Sequence, residues 1–197
     1  WWNVEKGTNA GFLYQQNTLR DALGAAVHFD SFHRHAERVV MANIAQTVNV
    51  LQAMILTDPD TGTLVLTPTY HVFAMNAAHH DAAALAVHLR DVATRTVDGT
   101  ELPLVSASAS VKGETALVSL SNLDTDTDQA VVLDLRGREV VGHAASVLTG
   151  PALDAHNTPD RLDAVPPAAH DGVRPHSRGL EVDLPAHSYV TVGLRLR

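Results

Sequence analysis

Two hydrophobic periods divide this chain. The first is helical. Thr18 followed by Asp21 matches the capping-box spacing, and Leu19, Leu23, Ala26 and Val27 then recur at intervals of three and four. This predicts a helix from Thr18 to about Arg38, with His33, Arg34, His35 and Arg38 at its negative pole. The run that follows, "RVVMANIA", is apolar on both faces, as a strand of a parallel sheet covered by helices would be. A short apolar piece, Ala53–Leu56, leads through the turn-rich "TDPDTGT" to a strand, "LVLTP". A second helix is predicted over "TPTYHVFAMNAAHH", with Pro68 in its first turn. Residues 1–16 read as loop, punctuated by Gly7, Asn9 and Gly11. The sequence of loop, helix, strand, hairpin and helix has the rhythm of an α/β layer.

From about residue 82 the period falls to two. "ALAVHLR", "LPLVSASASV", "TALVSLSNL", "AVVLDLRG", "LEVDLP" and "SYVTVGLRLR" alternate apolar and polar positions between Asp, Asn, Gly and Thr turns. That predicts an antiparallel β-sandwich or jelly roll. Residues 150–179, rich in Pro, His, Asp and Gly, read as one long irregular loop. The expected fold class is therefore α/β plus all-β, with an α/β part over residues 1–80 and a sandwich over 81–197. The first part is too short to close a (β/α)8 barrel, which takes roughly 250 residues.

Composition narrows the partners. The 197 residues carry a net charge of −8 and no basic block. Nucleic acid and anionic membrane surfaces, which need clustered Lys and Arg, are not expected partners. No uninterrupted apolar run reaches the roughly 18 residues of a membrane span. Cysteine is absent, which excludes disulfides, thiolate zinc sites and a Cys nucleophile. The opening "WWNVEKGTN" has no helix cap, and paired tryptophans bury a large aromatic area when packed. The chain is expected to continue a larger unit.

The run Arg38–Leu56 poses a chemical question, because it mixes burial with Asn43, Gln46, Thr47, Asn49 and Gln52. At the carboxyl end of a parallel strand a side chain faces the site formed by the loops above. Gln46 stands there, offering a donor and an acceptor without charge. It is suited to a sugar hydroxyl or to holding a catalytic carboxylate. Equally, these residues are suited to satisfying backbone groups in a tight turn after the strand.

"GFLYQQNTLRDAL", "FHRHAERVVMANIAQTVNVLQAMILTD" and "LTPTYHVFAMN" closely resemble the C-terminal half of the α-L-arabinofuranosidases of glycoside hydrolase family 51. "HNTPDRLDAVPP" looks like that family's long loop, and "LEVDLPAHSYVTVGLRL" is similar to its last strands. The resemblance implies the end of a (β/α)8 TIM barrel followed by the sandwich. It also implies retaining hydrolysis of terminal non-reducing α-L-arabinofuranosyl residues from arabinan- and arabinoxylan-type oligosaccharides. Retention uses two carboxyls roughly 5–5.5 Å apart. By resemblance both catalytic Glu lie upstream, the nucleophile in an Asp-Glu-Trp motif shortly before Trp1, so no catalytic residue is expected in this chain and the chain alone is expected to be inactive. Gln46 falls on the family's active-site Gln and Trp1 on an aromatic that walls the sugar pocket, while Trp2 stands where the family usually has Tyr. No metal or organic cofactor is implied. The expected partners are the upstream portion of the barrel, the arabinofuranosyl oligosaccharide and further copies in a homo-oligomer, in the cytoplasm.

Other constellations are weaker. Among twelve histidines, "HRH" and "HH" suggest a metal. Residues two apart on a helix diverge, however, so solvated or capping histidines are expected. Glu5 lacks a second carboxylate. "SLSNLDTDTDQ" lacks the Gly and closing Glu of a helix–loop–helix calcium site, and no Gly-x-Ser-x-Gly elbow occurs. Two rival functions remain open: a non-catalytic carbohydrate-binding or assembly sandwich, and the tail of another TIM-barrel glycosidase acting on a pyranoside. The sandwich part holds one aromatic, Tyr189, which disfavours the first.

Overall fold

In the computed structural model the described residues are 17–44, 47–49 and 53–197. Helix α1, Leu19–Arg34, starts where Asp21 reaches back to accept from both the backbone N–H (2.8 Å) and the hydroxyl (2.9 Å) of Thr18. It ends a turn earlier than its periodicity suggests, and residues 35–38 continue as turns. Leu19, Ala22, Leu23, Ala25 and Ala26 form its buried stripe, packed with Val72, Leu148, Val165 and Tyr189. The alanines let the helix lie close to what it covers.

Strands β1 (Ile55–Thr57) and β2 (Leu64–Leu66) form an antiparallel hairpin. Helix α2, Pro68–Asn76, follows, with Pro68 in its first turn and the Thr67 hydroxyl accepting from Tyr70 N–H. A single 3-10 turn, Ala77–His79, ends the helical layer. The segment 39–44 has no regular secondary structure and pairs with no strand among the described residues. Val40 and Met41 in it are 93% and 76% exposed, so the expected parallel strand has no ladder to join here.

The remaining strands are β3 (Ala83–Leu85), β4 (Thr94–Val97), β5 (Thr100–Pro103), β6 (Val105–Lys112), β7 (Thr115–Asn122), β8 (Gln129–Leu133), β9 (Val140–Leu148), β10 (Ala168–Ala169), β11 (Val173–His176), β12 (Gly179–Leu184) and β13 (Ser188–Leu196). One sheet has the order β10-β9-β13-β7-β6-β3, and a smaller one the order β11-β12-β8. Every pairing within them is antiparallel. Their facing surfaces form the main core of Val105, Ala107, Val118, Leu120, Val182, Val190, Val192, Leu194 and neighbours. β4 and β5 form a separate hairpin.

Three features depart from the sequence reading. "ALAVHLR" forms a strand only as far as Leu85, and its later Val87 and Leu89 are each 39% exposed. "VVGHAASVL" is a full strand, β9, although Gly142, His143, Ala144 and Ala145 break its alternation. The long loop contains β10 and β11. At the β11–β12 turn Gly179 has φ +142, and a Cβ there would lie 2.1 Å from the Leu133 carbonyl oxygen. Only glycine fits.

Candidate functional site

The outward face of the large sheet is set by register. Tyr189 lies opposite Ser121 and Leu148, and Ser121 opposite Ser106. Two residues along, Thr191, Ser119, Ser146 and Ser108 form the next cross-strand row. Helix α1 and the 3-10 turn cover these serines with polar side chains. Asp30 sits in the apolar stripe of α1, 1% exposed, and accepts from Ser106 Oγ at 2.6 Å and Ser108 Oγ at 2.7 Å. Because the Ser108 proton points at Asp30, the 3.0 Å contact from His33 Nδ1 is a donation to Ser108.

His79 is 8% exposed and spans two strands, with Nδ1 2.7 Å from Ser110 Oγ and Nε2 2.9 Å from Ser119 Oγ. Asn76 Nδ2 donates to Tyr189 OH (2.6 Å), and Tyr189 OH donates to Ser119 (3.0 Å). A neutral His79 carrying its proton on Nδ1 continues that direction, accepting from Ser119 and donating to Ser110. His79 is thus a buried connector. The expectation of solvated or capping histidines does not hold for it. Burial, then the neighbouring imidazoles of His33 and His80, push its pKa down to about 4. Burial raises Asp30 to about 6 against the opposing serine bonds and Arg34. A carboxyl near 6 is a catalytic signal in an open cleft. Here both oxygens are occupied beneath a helix, so Asp30 has no access to substrate.

The second polar assembly lies around the β1–β2 hairpin. Thr47 O accepts from Met54 N (3.0 Å) and Ile55 N (3.0 Å), and Val48 forms a parallel bridge with Ile55. Asn49 has φ +55, in the left-handed region that Asn tolerates best after Gly. Its side chain clamps Thr57, Oδ1 accepting from Thr57 N (2.7 Å) and Nδ2 donating to Thr57 Oγ1 (2.6 Å). At the other end Thr67 N–H donates to Met54 O and its hydroxyl to Ala53 O. Asn157, 3% exposed on the loop after β9, donates to Leu66 O (2.8 Å) and accepts from Val165 N (2.8 Å).

Gln46 and Trp1, the two site residues expected from the sequence, lie outside the described residues, as do Trp2 and Glu5. The segments flanking Gln46 are described, and they are the exposed Val40–Asn43 stretch and the pinned turn 47–49. Among the described residues no three His, Asp or Glu side chains converge as metal ligands. A groove of about 450 Å³ on the open end of the large sheet's outward face is lined by residues including Lys112, Leu117, Gly142, His143 and Arg195, with no carboxylate and no Trp, Tyr or Phe. The sandwich's one aromatic, Tyr189, is 1% exposed. Neither feature offers a stacking surface for a sugar.

The family described as Alpha-L-arabinofuranosidase C-terminal domain matches residues 1–188. This chain belongs to that family. Over 99% of its length it is 41% identical to an intracellular exo-alpha-L-arabinofuranosidase of Bacteroides ovatus, of which it spans 38%. It superposes with a TM-score of 0.89 at 45% identity on the GH51 arabinofuranosidase of Xanthomonas axonopodis pv. citri, covering 99% of this chain and 39% of that one. A family 51 alpha-L-arabinofuranosidase from Bifidobacterium longum gives 0.82 at 25% identity, over 92% of this chain and 34% of that one. This arabinofuranosidase domain is therefore the C-terminal portion of a family 51 protein, the end of the barrel with its β-sandwich, and spans well under half of these relatives' length.

Sequence reasoning missed the roles of Asp30, His79 and Asn157, whereas Asn49 does what its alternative reading expected, satisfying a backbone group in a tight turn. Asp30 has a legible signal: it falls at the helical interval after Leu19, Leu23 and Ala26, an acid where an apolar residue belongs. "SASAS" against "SLSN" likewise marks a polar inner face. Asn157 carries no such mark, because it acts on backbone groups brought close only by folding.

Proposed function

We propose that this arabinofuranosidase domain completes a retaining enzyme that hydrolyses terminal non-reducing α-L-arabinofuranosyl residues of arabinan- and arabinoxylan-type oligosaccharides. In this reading residues 1–80 supply the last helix–strand units of a (β/α)8 barrel and residues 81–197 the sandwich that braces it. Both catalytic Glu come from the upstream barrel portion. Gln46 hydrogen-bonds the arabinose, and Trp1 walls its pocket. The complete protein acts in the cytoplasm as a homo-oligomer; the intracellular name of the Bacteroides ovatus relative supports the location.

The observation that carries the reading is the 45% identity to an arabinofuranosidase structure over 99% of the chain. The exposed Val40 and Met41 support it further, as an apolar segment suited to pairing with barrel strands. The test compares the chain joined to its upstream barrel with the 197-residue chain alone. Substrates are 4-nitrophenyl α-L-arabinofuranoside, β-D-xylopyranoside and β-D-glucopyranoside. Turnover of the arabinofuranoside by the joined protein only, with the first-formed arabinose keeping its anomeric configuration by NMR, is the expected result. Normal turnover by the short chain alone overturns the placement of both Glu upstream, and preference for a pyranoside overturns the substrate class.

A further inference from the structure

The half-buried ring of His187 spans two backbone carbonyls. Nδ1 lies 2.9 Å from Thr125 O and Nε2 2.9 Å from Gly150 O. A carbonyl oxygen only accepts, so each of these ring nitrogens has to bring a proton. The neutral ring carries one N–H, and only the imidazolium satisfies both contacts. With one proton gone, a nitrogen lone pair faces a carbonyl oxygen at hydrogen-bond distance and the two repel.

The surrounding chain holds the ring in this place. His187 has φ +40, a left-handed backbone that few L-residues adopt. Its N–H donates to Asp124 O (2.7 Å), and Ala186 N–H donates to Asp128 Oδ1 (2.8 Å). Thr125 belongs to the turn between β7 and β8. Gly150 opens the segment that caps α1, where Leu153 O and Ala155 O accept from Arg20 N–H and Leu19 N–H at 2.9 Å each. Gly150 also packs on that helix start, since a Cβ there would lie 3.2 Å from Ala155 Cβ and 3.5 Å from Leu19 Cδ2. The charged and titratable groups of the elements that meet here are Asp124, Asp126 and Asp128 on the turn and Arg95 of β4, 3.1 Å from Asp124. The capping segment adds Asp154 and His156, and the start of α1 adds Arg20 and Asp21. On the turn the carboxylates outnumber Arg95, which favours a cation beside them.

We propose that His187 is a proton-dependent clasp: its doubly protonated ring joins the β7–β8 turn to the segment that caps α1, and loss of one proton releases one end. The clasp makes the seat of the helical layer tighter in acid than in base. It holds whatever sugar the complete protein takes.

Hydrogen exchange of the joined protein, read by mass spectrometry at pH 5.5 and 8.5 and corrected for intrinsic rates, tests this. The amides followed are those of Leu19 and Arg20 and those of the turn at 123–128. His187→Asn tolerates the left-handed backbone but is too short to reach both carbonyls; His187→Gly replaces it if that protein does not fold. The protection of the parent relative to the variant is expected to fall about fivefold from the lower pH to the higher at one end of the clasp, the worth of one hydrogen bond. His156→Gln is expected to keep the parent's pH response. A parent-to-variant ratio that does not change with pH at either end overturns the inference, as does a pH response that His156→Gln abolishes.

Discussion

His33 and His79 face each other with ring centroids 4.4 Å apart, one from α1 and one from the turn after α2, and burial disfavours a charge on each. Burial is the first cause of the lowered pKa of each, with His80 adding to both. A histidine whose folded pKa is depressed binds fewer protons folded than unfolded. Its contribution is therefore whole above its unfolded value of 6.5 and is lost as pH falls towards about 4. Asp30 works in the opposite sense. Its pKa of about 6 lies above 3.8, so its contribution is whole below 3.8 and is lost as pH rises through 6. Between pH 6.5 and 4 the two histidines oppose the one carboxyl. Asp30→Asn removes the opposing slope, and its stability is expected to fall more steeply than the parent's over that range. Urea unfolding at pH 7, 6, 5 and 4 reads this directly; parallel curves for the two proteins would show that Asp30 does not titrate as its surroundings demand.

Tyr189→Phe takes the hydroxyl out of the chain from Asn76 to Ser119 without changing the ring that packs on α1. Asn76 Nδ2 keeps Val72 O, and Ser119 keeps His79. One of the two Asn76 amide hydrogens loses its acceptor while the other keeps Val72 O, so the loss is expected at about 1–2 kcal/mol. The change Ser119→Val is harsher, because it strands His79 Nε2 and the Tyr189 proton together, and about 2–3 kcal/mol is expected. Chemical denaturation at neutral pH ranks the two.

Gly179→Ala places a methyl against the Leu133 carbonyl oxygen at a backbone angle that L-residues avoid. The β11–β12 turn must move away from β8 to admit it. A destabilisation of about 2–4 kcal/mol is expected, visible as a lower urea midpoint. A wild-type midpoint would show that the turn relaxes freely.

Val40 and Met41 leave an apolar segment open to solvent in this chain. Exposed apolar surface of this kind associates with other chains. The 197-residue chain is expected to self-associate in sedimentation velocity, and Val40→Lys with Met41→Lys to reduce this. The same pair of changes should block rescue by a separately expressed upstream barrel portion. Unaltered association in the double variant would place the sticky surface elsewhere.

Much of this architecture was legible because burial imposes simple periods. α1, the hairpin, α2 and the strands β6, β7, β8, β12 and β13 sit where helical or twofold alternation places them. β9 escaped because its outward positions Gly142, paired with Arg195, and Ala144, paired with Gly193, are small, which erases the alternation. "ALAVHLR" misled for the converse reason: it alternates well, yet its chain turns away after Leu85 and finds no partner. At the site, Gln46 and Trp1 were readable only through resemblance, since a lone amide and a lone indole carry no spacing rule. Asp30 and His79 were readable in principle from polar residues on apolar faces. Asn157 was not, because the Leu66 carbonyl it holds lies 91 residues away in sequence.

The rows of serine beneath α1 have a consequence for how the two layers meet. Greasy surfaces of leucine and valine tolerate sliding, since one methyl contact replaces another. A layer seated on Ser106, Ser108, Ser110 and Ser119 has no such freedom: a shift of one residue in either direction disengages Asp30, His33 and His79 together. The sandwich thus serves as a keyed mount, fixing the azimuth and the offset of whatever rests on it.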